Sequence, residues 1–117
     1  MKQHEKINYV EFATRDIHST KAFFEQVFCW TFVDYGTEYT AFSNSGLDGG
    51  FYQADLNASA GNGSALIVLY SEDLADTQQK IIAAGGQIIK DIFEFPGGRR
   101  FHFTEPSGNE LAVWSDR

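Results

Sequence analysis

A single cysteine, Cys29, stands in the 117-residue chain, so no disulfide can close within it. A chain without internal bridges suits a reducing compartment, and a cytoplasmic location is the expectation. No apolar run approaches the length of a membrane span, and Lys2-Gln3-His4-Glu5 leads into no apolar signal core. Positive charge is scarce. Nine Lys and Arg against sixteen Asp and Glu leave a net charge of −7, which argues against nucleic acid or an anionic membrane as partner. The only prolines, Pro96 and Pro106, both lie beside glycine turns. The chain also lacks Gly-x-Ser-x-Gly, a phosphate loop, a dinucleotide fingerprint and His-Glu-x-x-His.

What is abundant is apolar and aromatic. Hydrophobic residues make up 43% of the chain, with eleven Phe, five Tyr and two Trp, enough for a core and an aromatic-lined pocket. The length fits one domain, residues 1–117. Cys29, between Phe28 and Trp30 and with no cationic neighbour in sequence, reads as a buried residue rather than a reactive thiol.

The chain is written twice. Val10-Glu11-Phe12-Ala13-Thr14-Arg15-Asp16 opens a helical stretch, and Ile67-Val68-Leu69-Tyr70-Ser71-Glu72-Asp73 opens another half a chain later. A repeat this long marks one supersecondary unit used twice. In the first unit, strands are expected over 7–14, 30–34, 38–43 and 49–53, and a helix over 17–28 capped by Asp16. In the second, strands are expected over 65–70, 87–93, 99–104 and 110–114, and a helix over 74–84 capped by Asp73 and ended at Gly85. The small, polar run 58–64 is the one linker. Each unit is therefore βαβββ, module one spanning 5–57 and module two 62–117.

This grammar, with Phe23-Phe24, Val27-Phe28-Cys29-Trp30, Ala84-Gly85-Gly86 and Glu105-Pro106-Ser107-Gly108-Asn109, resembles the vicinal oxygen chelate superfamily. That group holds glyoxalase I, bleomycin-resistance proteins, fosfomycin-resistance enzymes and extradiol dioxygenases, and the likeness is nearest to its small glyoxalase-related members. The resemblance implies an α+β fold: two tandem βαβββ modules forming an open, cup-shaped mixed sheet with the helices outside. It also implies a homodimer, or an exchange of modules between chains.

Metal-dependent members hold a divalent ion with His or Glu side chains from both modules. The positions matching those ligands here are Tyr9, Leu66, Ala112 and the neighbourhood of Gly50. A divalent ion needs imidazole, carboxylate or thiolate donors, which Leu, Ala and Gly do not offer and which phenol replaces poorly. No cofactor is therefore expected.

The resemblance implies that Tyr9 and Leu66 face the cup; strand alternation then puts Glu11 on the same face of module one, and Val68 and Tyr70 on that of module two. The last hairpin sets His102 opposite Ala112 and Arg100 opposite Trp114. By the repeat, Thr40 and Phe42 are taken as the first-module counterparts. The expected site thus has aromatic walls, Tyr9, Phe42, Tyr70 and Trp114, around the ionisable groups Glu11, His102 and Arg100. Glu11 and His102 are the candidate acid–base pair, and Arg100 the anchor for a carboxylate or phosphate.

Three readings follow. The first is a small-molecule-binding protein without a metal, taking an aromatic or acidic metabolite. The alternative is a lyase or isomerase of lactoylglutathione-lyase type, using Glu11 and His102 with or without a weakly held ion. The third is an interaction module whose dimer surface is the product.

Overall fold

A computed structural model describes residues 2–117; Met1, the first residue of the N-terminal tail, lies outside the description. The elements in order are β1 (Val10–Thr14), α1 (Ile17–Phe28), β2 (Thr31–Asp34), β3 (Tyr39–Ser43), β4 (Gly49–Gln53), a 3-10 turn (Ala60–Asn62), β5 (Val68–Tyr70), α2 (Leu74–Ala83), β6 (Gln87–Phe95), β7 (Gly98–Thr104) and β8 (Glu110–Ser115). The fold is α+β, built of two tandem βαβββ modules. The eight strands divide into two open four-stranded sheets, ordered β1-β4-β3-β2 and β5-β8-β7-β6. Each is mixed: the first strand of a module runs parallel to its last, and the remaining pairs are antiparallel.

The helices begin where free amides find a carboxylate. Asp16 accepts from the Ser19 amide and Asp73 from the Asp76 amide, with nearly identical backbone angles. α1 ends at Cys29, whose φ of 60° lies in the left-handed region. Contrary to the expectation of burial, Cys29 is exposed. The left-handed C-terminal position lifts the chain off the helix and away from the apolar stripe, which buries Phe23, Phe24 and Val27 instead. Several strands differ in length from expectation. β1 starts at Val10 and β5 at Val68, because the parallel ladders with β4 and β8 begin only there. β6 runs on to Phe95, paired with Gly98, and carries two irregularities in register that curl it.

One core serves both modules. Phe12, Phe24, Trp30, Phe42 and Phe51 from the first join Leu74, Ile81, Phe101, Phe103, Leu111 and Val113 from the second. Phe23 and Phe28 on α1 bridge the modules, their rings 6.0 and 6.1 Å from Phe103. Each such side chain removed from water contributes about 1.5–3 kcal/mol.

A polar joint completes the contact. The fully buried Asn109 donates to the Ala13 carbonyl (2.8 Å) and to Glu105 (3.0 Å), and accepts from the Ala58 amide (2.7 Å). Thr20 of α1 also donates to Glu105, and Thr14 of β1 to Ser107. The Glu105–Asn109 turn is thus tied at once to β1, α1 and the inter-module segment. Burial pushes the Glu105 carboxyl above its usual range, against the opposing pull of the Ser107, Asn109 and Thr20 donors.

Candidate functional site

The helix-free faces of the two sheets carry the chemistry. On the first sheet, Glu11, Gly50 and Ala41 form one cross-strand row, and Ala13, Tyr52 and Tyr39 the next. Gly50 and Ala41 leave a shallow floor between larger side chains. Over it the Tyr9 and Tyr39 hydroxyls meet at 2.6 Å, and Tyr39 donates to Glu11 at 2.9 Å. A Cβ at Gly50 would stand 2.1 Å from the Tyr39 hydroxyl, so glycine is what admits this arrangement. Burial, then the bonds to Tyr9 and Glu11, raise the Tyr39 phenol above its ordinary range and keep it a donor. Its one proton goes to Glu11, so Tyr9 must donate to Tyr39.

On the second sheet, Val68, Ala112, His102 and Lys90 form one row, and Tyr70, Trp114, Arg100 and Phe93 the next. His102 Nδ1 meets Glu110 at 2.9 Å, and Glu110 also accepts from the Ala60 amide. Burial raises the Glu110 carboxyl, but the Ala60 and His102 donors outweigh it and leave the group below its usual range. A carboxylate only accepts, so Nδ1 carries the proton and Nε2 points elsewhere. His102 Nε2 and Arg100 Nε are both buried without a hydrogen-bond partner. Around them the Arg100 guanidinium lies 5.3 Å from the Phe93 ring centre and 5.8 Å from Phe95, while Phe95 packs near Trp114 and Trp114 against Tyr70.

The expected site residues are therefore distributed between two faces. Glu11 is joined to Tyr39 and Tyr9, and His102 to Glu110; Glu11 and His102 form no bond with each other. Arg100, Trp114, Tyr70 and Val68 share the His102 face, with Val68 and Tyr70 left open to solvent and Ala112 fully buried beneath them. Leu66 is half-buried and precedes β5.

The side assigned to Thr40 and Phe42 is corrected. Thr40 is fully buried on the helix side with its hydroxyl on Asp34, and Phe42 stacks on Trp30 in the core at 4.6 Å. The first hairpin closes from Phe42 to Gly49 and the second from Thr104 to Glu110, so the first loop is one residue longer. Ala41, not Thr40, is consequently the counterpart of His102, and a slip of one residue exchanges the faces of a strand. The same slip hid Tyr39, the counterpart of Arg100. Phe93 and Phe95 were missed because the curl of β6 leaves no strict alternation to read.

Gly50 and Ala112 occupy equivalent places in the two sheets, and neither offers a donor to a divalent ion. The Tyr39 hydroxyl fills the space a side chain at Gly50 would use. Among the described residues, no three His, Cys, Asp or Glu side chains come together. The donor set a divalent cation requires is not assembled by these groups.

Comparison with known proteins places this geometry in context. The profile of the Glyoxalase/Bleomycin resistance protein/Dioxygenase superfamily matches residues 6–113. Among solved structures, the chain is similar to a glyoxalase/bleomycin resistance protein/dioxygenase family enzyme from Burkholderia phytofirmans PsJN, with 18% identity, 94% of this chain and 98% of that one covered, and a TM-score of 0.78. It is also similar to a genomically encoded fosfomycin resistance protein from Listeria monocytogenes (18% identity, 97% and 94% covered, TM-score 0.77). A third likeness is to a lactoylglutathione lyase from Agrobacterium tumefaciens (17% identity, 97% and 96% covered, TM-score 0.71). No curated protein resembles the chain closely enough to count as a match. At these identities the structural likenesses speak for the fold.

Proposed function

The chain belongs to the Glyoxalase/Bleomycin resistance protein/Dioxygenase superfamily, and from that premise we propose that it is a small-molecule-binding protein that works without a resident metal ion and holds an acidic aromatic metabolite on its second sheet. One observation carries the reading: Arg100 Nε and His102 Nε2 are buried with no partner. Buried polar groups are satisfied in most folded proteins, and these two exceptions have complementary needs: Arg100 Nε can donate to a ligand carboxylate, and His102 Nε2, which carries no proton, can accept from a ligand hydroxyl. Arg100 supplies the charge for a carboxylate. Phe93, Phe95, Trp114 and Tyr70 supply ring faces for the ligand's body.

The test is a thermal-shift and calorimetric comparison of benzoate with neutral benzamide. Benzoate raises the melting temperature and benzamide does not, because only the charged ligand engages Arg100. Arg100→Ala removes the shift. Equal binding of the two ligands overturns the reading, and so does tight stoichiometric cobalt binding.

A second reading, acid–base catalysis of lyase or isomerase type, is favoured by one feature. Glu110 fixes the tautomer and orientation of His102 and leaves Nε2 as a base. Glu11, hydrogen-bonded by Tyr39, is the second carboxylate available. Turnover of the methylglyoxal–glutathione hemithioacetal, with and without added nickel or zinc, tests it. Loss of turnover in Glu11→Gln or His102→Gln assigns the roles.

We also infer a homodimer. Ile7, Val33 and Tyr35 are large side chains left open to solvent and outside both ligand faces, the kind of surface a second copy covers. Light scattering at micromolar concentration measures the state. We also propose a cytoplasmic location, consistent with the single cysteine. None of the described helices is long and apolar enough to cross a membrane.

A further inference from the structure

A second site lies beside β1, at the seam where the inter-module segment leads into β5. A cavity of about 510 Å³ opens between β1, the end of β4 and the inter-module segment. Its lining includes Tyr52, Leu56, Asn57, Asn62 and Ser64, and Glu11 is the one charged side chain among the lining residues. No Lys, Arg or His among the described residues forms an ion pair with Glu11; its hydrogen-bond partner is the Tyr39 hydroxyl, on Oε2.

The direction of the hydrogen bonds decides what this cavity accepts. Tyr9 donates to Tyr39, and Tyr39 to Glu11, so both hydroxyl protons are consumed inside the cluster. The other carboxylate oxygen, Oε1, receives no hydrogen bond from a described residue, and Glu11 lines the cavity. The nearby Tyr52 ring adds a negative π-face, and Asn57, Asn62 and Ser64 add neutral polar groups. Leu56, Ala65 and Ile67 provide an apolar wall. Glu11 is exposed, so water can reach it, but among the lining residues an anion finds no charge-complementary group while a cation finds the carboxylate.

We propose that this cavity binds a protonated amine carried on a small apolar or aromatic body, with Glu11 as its ionic partner and Tyr52 as its aromatic face. Tyr39 and, behind it, Tyr9 are positioning residues: Tyr39 holds Glu11 through Oε2 and leaves Oε1 unbonded. The chain's net charge of −7 raises the local concentration of such a cation. The site is independent of the acid-binding face around Arg100 and opposite to it in charge preference.

The test uses benzylammonium and its neutral isostere benzyl alcohol on the full chain at neutral pH. Binding is measured by calorimetry and by amide shift changes in nuclear magnetic resonance. Benzylammonium is expected to bind at least about tenfold more tightly than benzyl alcohol, and to shift amides of Glu11, Tyr52, Asn57 and Ala65. Glu11→Gln is expected to abolish that preference while keeping the melting temperature. Equal affinity for the two probes in the unmodified protein overturns the proposal without recourse to any variant. So does a Glu11→Gln protein that keeps the preference, or shift changes confined to another part of the surface. Because benzoate reports on the Arg100 face and benzylammonium on this one, failure of either assignment is read separately from failure of the other.

Discussion

Replacing Asn109 by alanine should weaken the whole molecule rather than one loop. The side chain is fully buried and makes three hydrogen bonds, to the Ala13 carbonyl, the Ala58 amide and Glu105. Alanine leaves the first two backbone groups without their partner, each at a cost of about 1–3 kcal/mol where water does not enter. Glu105 keeps the Ser107 amide and Thr20 hydroxyl, so its loss is partial. The total comes to about 2–5 kcal/mol, a large share of the roughly 5–15 kcal/mol that holds a domain of this kind together. In a thermal melt this corresponds to a fall of about 10–20 °C. Urea denaturation followed by circular dichroism measures it, with the slope checked for change. Asn109→Asp, which keeps an acceptor for Ala58 but sets a second carboxylate against Glu105, should be at least as damaging at neutral pH. A loss below about 1 kcal/mol in the alanine variant would refute the claim that this turn joins the modules.

Other substitutions probe different links in the chain of reasoning. Cys29→Gly should stabilise by about 0.5–1 kcal/mol, since Cys29 holds a φ of 60° that glycine adopts without strain, and a small rise in melting temperature reports it. Glu105 is held above its ordinary carboxyl range, so the folded state binds its proton more tightly. Its contribution is fully present below the unfolded value near 4.5 and is lost as pH rises through the folded one. Melting temperatures from pH 4 to 7 should therefore show wild type losing ground to Glu105→Gln as pH rises; an unchanged difference sinks the assignment. Glu110, held below its usual range, has the opposite sign, and its contribution disappears as pH falls through the folded value. Gly50→Ala should displace the Tyr39 hydroxyl, which a Cβ would meet at 2.1 Å. The near-ultraviolet dichroism of tyrosine should change while the far-ultraviolet spectrum stays, because the moving atom is the end of a side chain.

The sequence shows the fold where signals are local. Asp16 and Asp73 mark helix starts, and both cap as expected. The glycine turns and alternating strands separate the elements, and the repeat itself establishes two equal modules. What could not be read is what depends on counting across a loop. The extra residue between Phe42 and Gly49 reverses the faces of Thr40, Ala41 and Phe42, and with them the place of Tyr39 beside Glu11. Nothing in the composition of that loop announces its length in three dimensions. Cys29 was misjudged for a related reason: apolar neighbours in sequence say little about a residue whose backbone turns left-handed. The pairing of His102 with Glu110 was within reach, since both positions fall on the same face of one hairpin.

Packing and chemistry occupy opposite sides of the same strands. Phe12, Phe51, Phe101 and Phe103 look inward to the helices, while Glu11, Tyr39, Arg100 and Trp114 look outward. An exchange at an outward position therefore disturbs few of the interlocked rings that keep the molecule folded. Such an architecture lets new specificities be tried at low risk to the scaffold, which is how one plan of strands and helices comes to serve many ligands.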